Sequence, residues 1–367
     1  MTGSLAPSGY ILLADVSGYT MFLTTSELEH ARDIMSDLLE KVVAGTKPPL
    51  QVSKLEGDAV LSYGMESAIL GGQTLIEMIE ECYVGFRRAI ERMVLNNTCK
   101  CNACTNISNL DLKFFVHHGE FALQQVGDRQ ELFGPTVILA HRLLKNDIKE
   151  ATGIAAYTAY TGAAIEQMGR ELVEGMRSHR LHYEDVGEVE IWIEDMRHAW
   201  EASRKENLIN LAAKEILMEE STEFGLPPET VWSYLTDPEF RKTFMAADSA
   251  AVSKKSAGRV AEGTVFHCYH GGGEVPQEVV EWRPFERMVT HDSVKVMGAT
   301  VKLYSIYELA PTEDGTRMTV RFGRLTGPKI QAALAKKGFG AQRDKMMEDS
   351  RNFKERIEAD YLARVKV

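Results

Sequence analysis

Two aspartates, a lysine and a group of cysteines are the residues of this chain whose types and spacing suit chemistry. Asp15 lies near the end of the apolar run 10–16, and Asp58 sits at the turn of the segment 51–64, four residues after Lys54 and two after Glu56. Carboxylates brought together from neighbouring strand ends hold hard divalent cations such as Mg2+ or Mn2+, and through them phosphates. A charged hairpin tip is otherwise ordinary solvated surface, so this reading requires the fold to carry Asp15 to Asp58. Cys99, Cys101 and Cys104 fall within six residues. Three thiolates at that spacing supply three ligands of a structural Zn2+ site, with the fourth left to Cys82, to His117 or His118, or to a second chain; reduced thiols in a plain loop are the alternative. The pair His117-His118 reads as one core histidine and one that packs or caps a strand end.

The elements that must position these groups follow from the hydrophobic pattern. The run 10–16 (YILLADV) is too short for a helix and reads as a buried central strand. Ser26-Glu27-Leu28-Glu29 has the form of a capping box, and apolar residues at helical spacing extend the helix to about residue 44. The segment 51–64 reads as a hairpin turning at Glu56-Gly57-Asp58, and 68–95 as a second long amphipathic helix. Strands follow at 110–117, 120–126 and 153–160, a helix opens at Gly134, and 181–193 alternates around Gly187 as a hairpin. The charged stretch 201–211 separates this region from a second one, which gives residues 1–205 and 206–367 as two domains. In the second, strands are expected at 216–224, 263–269, 275–282, 288–292, 301–309 and 316–322. Helices are expected from Pro227 and over 328–364, the latter with a break at Gly338-Phe339-Gly340.

Composition bounds the function. With 367 residues, 44% hydrophobic and 26% charged, the chain can build two cores. A net charge of −11 argues against coating nucleic acid or an anionic membrane. No basic leader and no apolar run of about 18 residues is present, so the expectation is a cytoplasmic protein with reduced cysteines, five in number.

The order and approximate spacing of Asp15-Val16-Ser17-Gly18-Tyr19-Thr20, Lys54-Leu55-Glu56-Gly57-Asp58-Ala59, His118-Gly119-Glu120, Leu132-Phe133-Gly134-Pro135-Thr136-Val137 and Ala140-His141-Arg142 resemble the class III adenylate/guanylate cyclase catalytic domain, over about residues 9–200. The resemblance implies an α+β, ferredoxin-like fold and a head-to-tail homodimer that makes cyclic AMP from ATP. By position, Asp15 and Asp58 would bind Mg2+ or Mn2+, and the backbone of Val16, Ser17, Gly18, Tyr19 and Thr20 would hold the triphosphate. Lys54 and Glu131 would read the purine, and Arg142 would neutralise charge developing on phosphate. Glu131 stands where the family has an aspartate, and Ile138 where it has an asparagine that orients the ribose. Isoleucine makes no hydrogen bond. His141, near it on the same helix, is a candidate substitute. The departures leave open a slow cyclase, another reaction, or a catalytically degenerate nucleotide- or ligand-binding regulatory protein.

Over about 213–365, Pro228-Glu229-Thr230-Val231-Trp232-Ser233-Tyr234-Leu235-Thr236-Asp237-Pro238, Glu278-Val279-Val280-Glu281-Trp282-Arg283-Pro284 and Asp314-Gly315-Thr316-Arg317-Met318-Thr319 resemble the START-like, polyketide cyclase/dehydrase helix-grip family. This implies a curved antiparallel sheet around a long C-terminal helix and an apolar cavity for a hydrophobic small molecule, which makes this domain a candidate sensor for the first or an enzyme on an apolar substrate. His267, Tyr269 and His270 are candidate lining residues or surface residues of one strand.

Overall fold

A computed structural model describes residues 7–69, 71–97, 99–204, 208–254, 259–271, 273–341 and 343–365. The chain divides into two units, Met1–Glu206 and Asn207–Val367.

In the first unit the apolar run becomes β1 (Ser8–Ser17), with Ile11, Leu12 and Leu13 fully buried. A strand covered on both faces reads as continuous rather than alternating hydrophobicity, which is why the run carries no period of two. Helices α1 (Tyr19–Thr25) and α2 (Leu28–Gly45) follow, then the hairpin β2 (Gln51–Glu56) and β3 (Ala59–Met65), then α3 (Gly72–Asn96) and the short α4 (Asn102–Asn106). Next come β4 (Asp111–Glu120), the small hairpin β5 (Ala122–Val126) and β6 (Arg129–Phe133), α5 (Pro135–Leu143), α6 (Ile148–Thr152), β7 (Tyr157–Thr161), α7 (Gly162–Met168), β8 (Arg177–Tyr183), β9 (Gly187–Asp195) and α8 (Arg197–Ser203).

The sheet runs β2-β3-β1-β4-β7-β9-β8, antiparallel except for the parallel pair β4 and β7. Its first four strands have the ferredoxin-like order, with β1 in the centre and the β2–β3 hairpin at one edge. On one face Ile11, Leu13, Leu61 and Phe115 join Val137, Ala140 and Leu143 of α5 in a single core. Helix α2 buries Ala31, Ile34, Leu38 and Val42, one stripe of its surface. Its start differs from the sequence expectation. Glu27 is the N-cap residue, no side chain caps the helix, and the Ser26 hydroxyl is buried without a hydrogen-bond partner among the described residues. The Glu27 carboxylate instead accepts the backbone N–H of Ala103, 3.1 Å away.

The second unit opens with β10 (Ile216–Phe224), α9 (Pro228–Thr236), α10 (Pro238–Phe244) and β11 (Ser249–Lys254). A meander of β12 (Val265–His270), β13 (Gly273–Arg283), β14 (Arg287–Val296), β15 (Ala299–Thr312) and β16 (Gly315–Thr326) follows, closed by α11 (Lys329–Ala341) and α12 (Arg343–Val365). All strands are antiparallel, in the order β10-β16-β15-β14-β13-β12-β11. Helix α12 lies against α10 and β10 and buries Phe353 and Ile357 completely, each worth about 1.5–3 kcal/mol against exposure. This is the helix-grip arrangement. The last two helices meet a few residues beyond the glycine pair Gly338 and Gly340.

Candidate metal and nucleotide site

Strand register brings the two aspartates together. Asp15 of β1 stands opposite Ala59 of β3, the residue after Asp58, and the Val16 N–H donates to the Asp58 carbonyl at 3.3 Å. The turn between the strands needs Gly57 at φ 67°, a left-handed conformation that costs glycine least. Asp58 is half-buried, and its carboxyl is pushed up, first by burial and then by the negative charge of Asp15. Two hard oxygen donors that repel one another are what a divalent cation relieves, so the pair fits magnesium or manganese. A third group intervenes: Lys113 of β4 lies directly opposite Asp15 and pairs with its Oδ2 at 3.0 Å. Nothing in the sequence pattern singled out Lys113, because its importance comes from which strand lies beside β1.

The backbone that follows Asp15 is constrained at both ends. The Val16 N–H is committed to Asp58, so of the five residues expected to hold phosphate, Val16 offers no amide. Gly18 has φ 87°, a conformation that favours glycine, and a Cβ there would crowd the Asn109 carbonyl oxygen at 3.0 Å.

Lys54 and Glu131 meet, although 77 residues separate them: Lys54 Nζ is 3.1 Å from Glu131 Oε2 and 3.0 Å from Glu56 Oε1. The Lys54 ammonium is pushed up by these partners, Glu56 first. Glu56, to which the sequence assigned no role, also lies 3.3 Å from His141 Nδ1 of α5, so the cluster reads Glu131, Lys54, Glu56, His141. Strand β6, which the sequence pattern did not reveal, delivers Glu131. Arg142 stands apart from this cluster and pairs with Asp185 at 2.6 Å, both groups exposed. Ile138, one turn earlier on α5, is 58% exposed, an apolar side chain facing solvent where the family resemblance calls for an amide.

The three clustered cysteines converge, and the fourth group beside them is His30 of α2. The candidates expected from sequence for that place are all engaged elsewhere. The Cys82 thiol is buried against the Val42 carbonyl, with burial pushing it up to about 12. His117 is buried beside the Thr161 hydroxyl at 2.8 Å, and burial holds its imidazole down to about 4. His118 pairs with Glu66 at 3.2 Å. In the second unit, His267 pairs with Glu274 and Tyr269 is 39% exposed. The interior there holds instead a buried polar chain, in which Arg241 donates to Gln277, and Gln277 to Asp292.

Comparison with known proteins gives three kinds of match. The family model "Polyketide cyclase / dehydrase and lipid transport" matches residues 215–358, and the model "Protein of unknown function (DUF2652)" matches residues 35–152. Among solved structures, the guanylyl cyclase Cya2 (13% identity, 52% of this chain and 93% of that one, TM-score 0.39) and the adenylyl cyclase CyaB from P. aeruginosa (13%, 51% and 93%, TM-score 0.39) are similar. So is protein MLL2253 from Mesorhizobium loti (15%, 39% and 96%, TM-score 0.32). The "Uncharacterized protein Rv2561/Rv2562" of Mycobacterium tuberculosis is 31% identical over 162 residues, 41% of this chain and 73% of that protein. The chain therefore belongs to the family of mycobacterial Rv2561/Rv2562, and carries over 215–358 a match to the polyketide cyclase/dehydrase and lipid transport family.

Proposed function

We propose that the first unit binds a nucleoside triphosphate, ATP in preference to GTP, with Mg2+ or Mn2+, and as a homodimer closes it to the 3′,5′-cyclic nucleotide and pyrophosphate. The observation that carries this reading is the juxtaposition of Asp15, on β1, with Asp58, at the turn of the neighbouring β2–β3 hairpin, which also holds Lys54 against Glu131. A divalent ion on the two aspartates would polarise phosphate oxygens and make the ribose 3′ hydroxyl easier to ionise. Lys54 donates to adenine N1 and Glu131 accepts from the 6-amino group, whereas guanine reverses that order, with an acceptor at O6 and a donor at N1. The amides of Ser17, Gly18, Tyr19 and Thr20 receive the phosphates. Arg142 and Asp185 form an exposed pair worth at most about 1 kcal/mol, so a phosphate exchanges for Asp185 at little cost. Within the chain Arg142 is held by Asp185, and the head-to-tail homodimer of this reading would bring it to the site of a partner copy.

The second unit is assigned a hydrophobic small molecule, on the strength of its family match, and the role of adjusting the first. A second reading, nucleotide binding without turnover, is favoured by Ile138 and by Lys113, which shares Asp15 with any cation. Incubating the purified chain with ATP and Mn2+ separates them. Cyclic AMP that disappears in Asp15→Asn and Asp58→Asn supports the first reading. Calorimetric binding of Mn-ATP with no cyclic product from ATP or GTP leaves the second.

A further inference from the structure

We propose that His30, Cys99, Cys101 and Cys104 bind one zinc ion in a closed Cys3His site. His30 Nδ1 lies 3.2 Å from the Cys101 sulfur, 3.6 Å from that of Cys104 and 3.8 Å from that of Cys99. The four ligand atoms all lie within 4.8 Å of one another. Hydrogen bonding does not account for this, since one imidazole nitrogen has a single proton or a single lone pair and serves one partner at a time. A tetrahedral centre does. Zinc–sulfur bonds of about 2.3 Å and a zinc–nitrogen bond of about 2.0 Å set the ligand atoms about 3.5–3.8 Å apart. Thiolates and imidazole are soft to intermediate donors that select zinc over magnesium or calcium, and four protein ligands leave no position for substrate, so the site is structural.

The loop is shaped for the ion beyond its ligands. The Cys104 N–H donates to the Cys101 sulfur at 3.4 Å, the kind of outer contact that stabilises a metal-bound thiolate. Asn97 accepts the Cys99 N–H at 2.8 Å and donates to the Cys104 carbonyl at 3.1 Å, which folds the ends of the CxCxxC segment toward each other. Between the last two cysteines, Ala103 is fully buried, with its N–H on Glu27, three residues before His30. The ion would fasten the α3–β4 connection to the first turn of α2. This connection continues into the turn Ile107–Asn109, whose last carbonyl backs Gly18. The zinc assignment itself is independent of any nucleotide chemistry.

The test is metal analysis of the full-length chain, purified without a histidine tag and dialysed. One zinc per chain is expected. Replacement by Co2+ should give the intense visible bands and sulfur charge-transfer absorption of a tetrahedral thiolate-rich site. His30→Cys should keep one metal with a shifted cobalt spectrum, whereas His30→Ala should lose zinc to a chelator at least about 10-fold more readily. Should Cys101→Ser or Cys104→Ser fail to fold, the wild-type cobalt spectrum and the His30 pair still decide. A zinc-free wild-type chain whose three thiols react freely with Ellman's reagent, or are joined in a disulfide, would overturn the proposal. So would His30→Ala holding zinc as tightly as wild type.

Discussion

The two units handle charge in opposite ways. In the second, the interior ionic groups Arg241 and Asp292 are sealed and matched. Arg241 has no exposed surface, stacks on the Phe266 ring at 4.3 Å, and reaches Gln277 and the Leu235 carbonyl. Asp292 is sealed beside it and accepts from Thr290, Ser305 and Gln277. In the first unit the comparable groups gather around the β2–β3 hairpin and are left open to solvent: Lys54, Glu56, Glu131 and His141 are all partly exposed, and Asp15 and Asp58 repel one another. Groups satisfied inside a core hold that core together, whereas groups left half-satisfied near solvent gain most from a ligand. Mutation should therefore cost stability in the second unit and binding in the first.

The largest effect expected from this contrast is on Arg241. Arg241→Met removes the cation that Gln277 relays to Asp292 and should destabilise the second unit by about 3–5 kcal/mol, read as a lowered urea midpoint. An unchanged midpoint would mean that the buried chain is dispensable.

Next comes Glu229 of α9, a half-buried group with one covered oxygen that lacks a match. Its Oε2 has no hydrogen-bond partner among the described residues, and burial pushes its carboxyl up to about 7 from 4.5. Below about pH 4.5 both folded and unfolded states hold the proton. Between 4.5 and 7 the unfolded state ionises first, so the contribution of Glu229 to stability is lost as pH rises and stays lost above 7. Glu229→Gln should accordingly stabilise the second unit at pH 8 by up to about 3 kcal/mol, a gain that vanishes near pH 4.5. Denaturant melts of the two proteins at both pH values measure it, and a pH-independent difference would refute the assignment.

The smallest change in stability belongs to the open cluster. Lys54→Ala should alter the unfolding free energy from urea melts by less than about 1 kcal/mol while weakening ATP binding roughly 10-fold or more, since an exposed ion pair contributes little to folding and a directed purine contact contributes more to recognition. Equal affinity in wild type and variant would remove Lys54 from the site.

Much of this was legible from residue order, because its carriers are local. The buried run before Asp15, the Glu56-Gly57-Asp58 turn and the helical stripe of α2 are each written within about twenty consecutive residues, and the meander of the second unit is a succession of such local strand patterns. What was hidden depends on strand register or on distant approach. Lys113 matters because β4 lies beside β1, and His30 reaches cysteines about seventy residues away. Glu56 matters because α5 carries His141 to it. The apparent capping box failed for a related reason: Glu27 turned to the Ala103 amide, a partner that no local pattern contains. Strands β6 and β11 escaped notice because runs of five or six residues with no alternation of polar and apolar positions carry little signal.

The most direct test of the central claim is complementation between two inactive chains. Asp58→Asn keeps Arg142 but loses a metal ligand, and Arg142→Ala keeps the aspartates. In a head-to-tail homodimer each alone has no complete site. Randomly re-associated, half of the dimers are mixed and one of their two sites is intact, so the mixture should form cyclic AMP at about a quarter of the wild-type rate. A mixture as inactive as its components, beside an active wild type, would contradict a site shared between two copies, and an inactive wild type would contradict the cyclase reading itself.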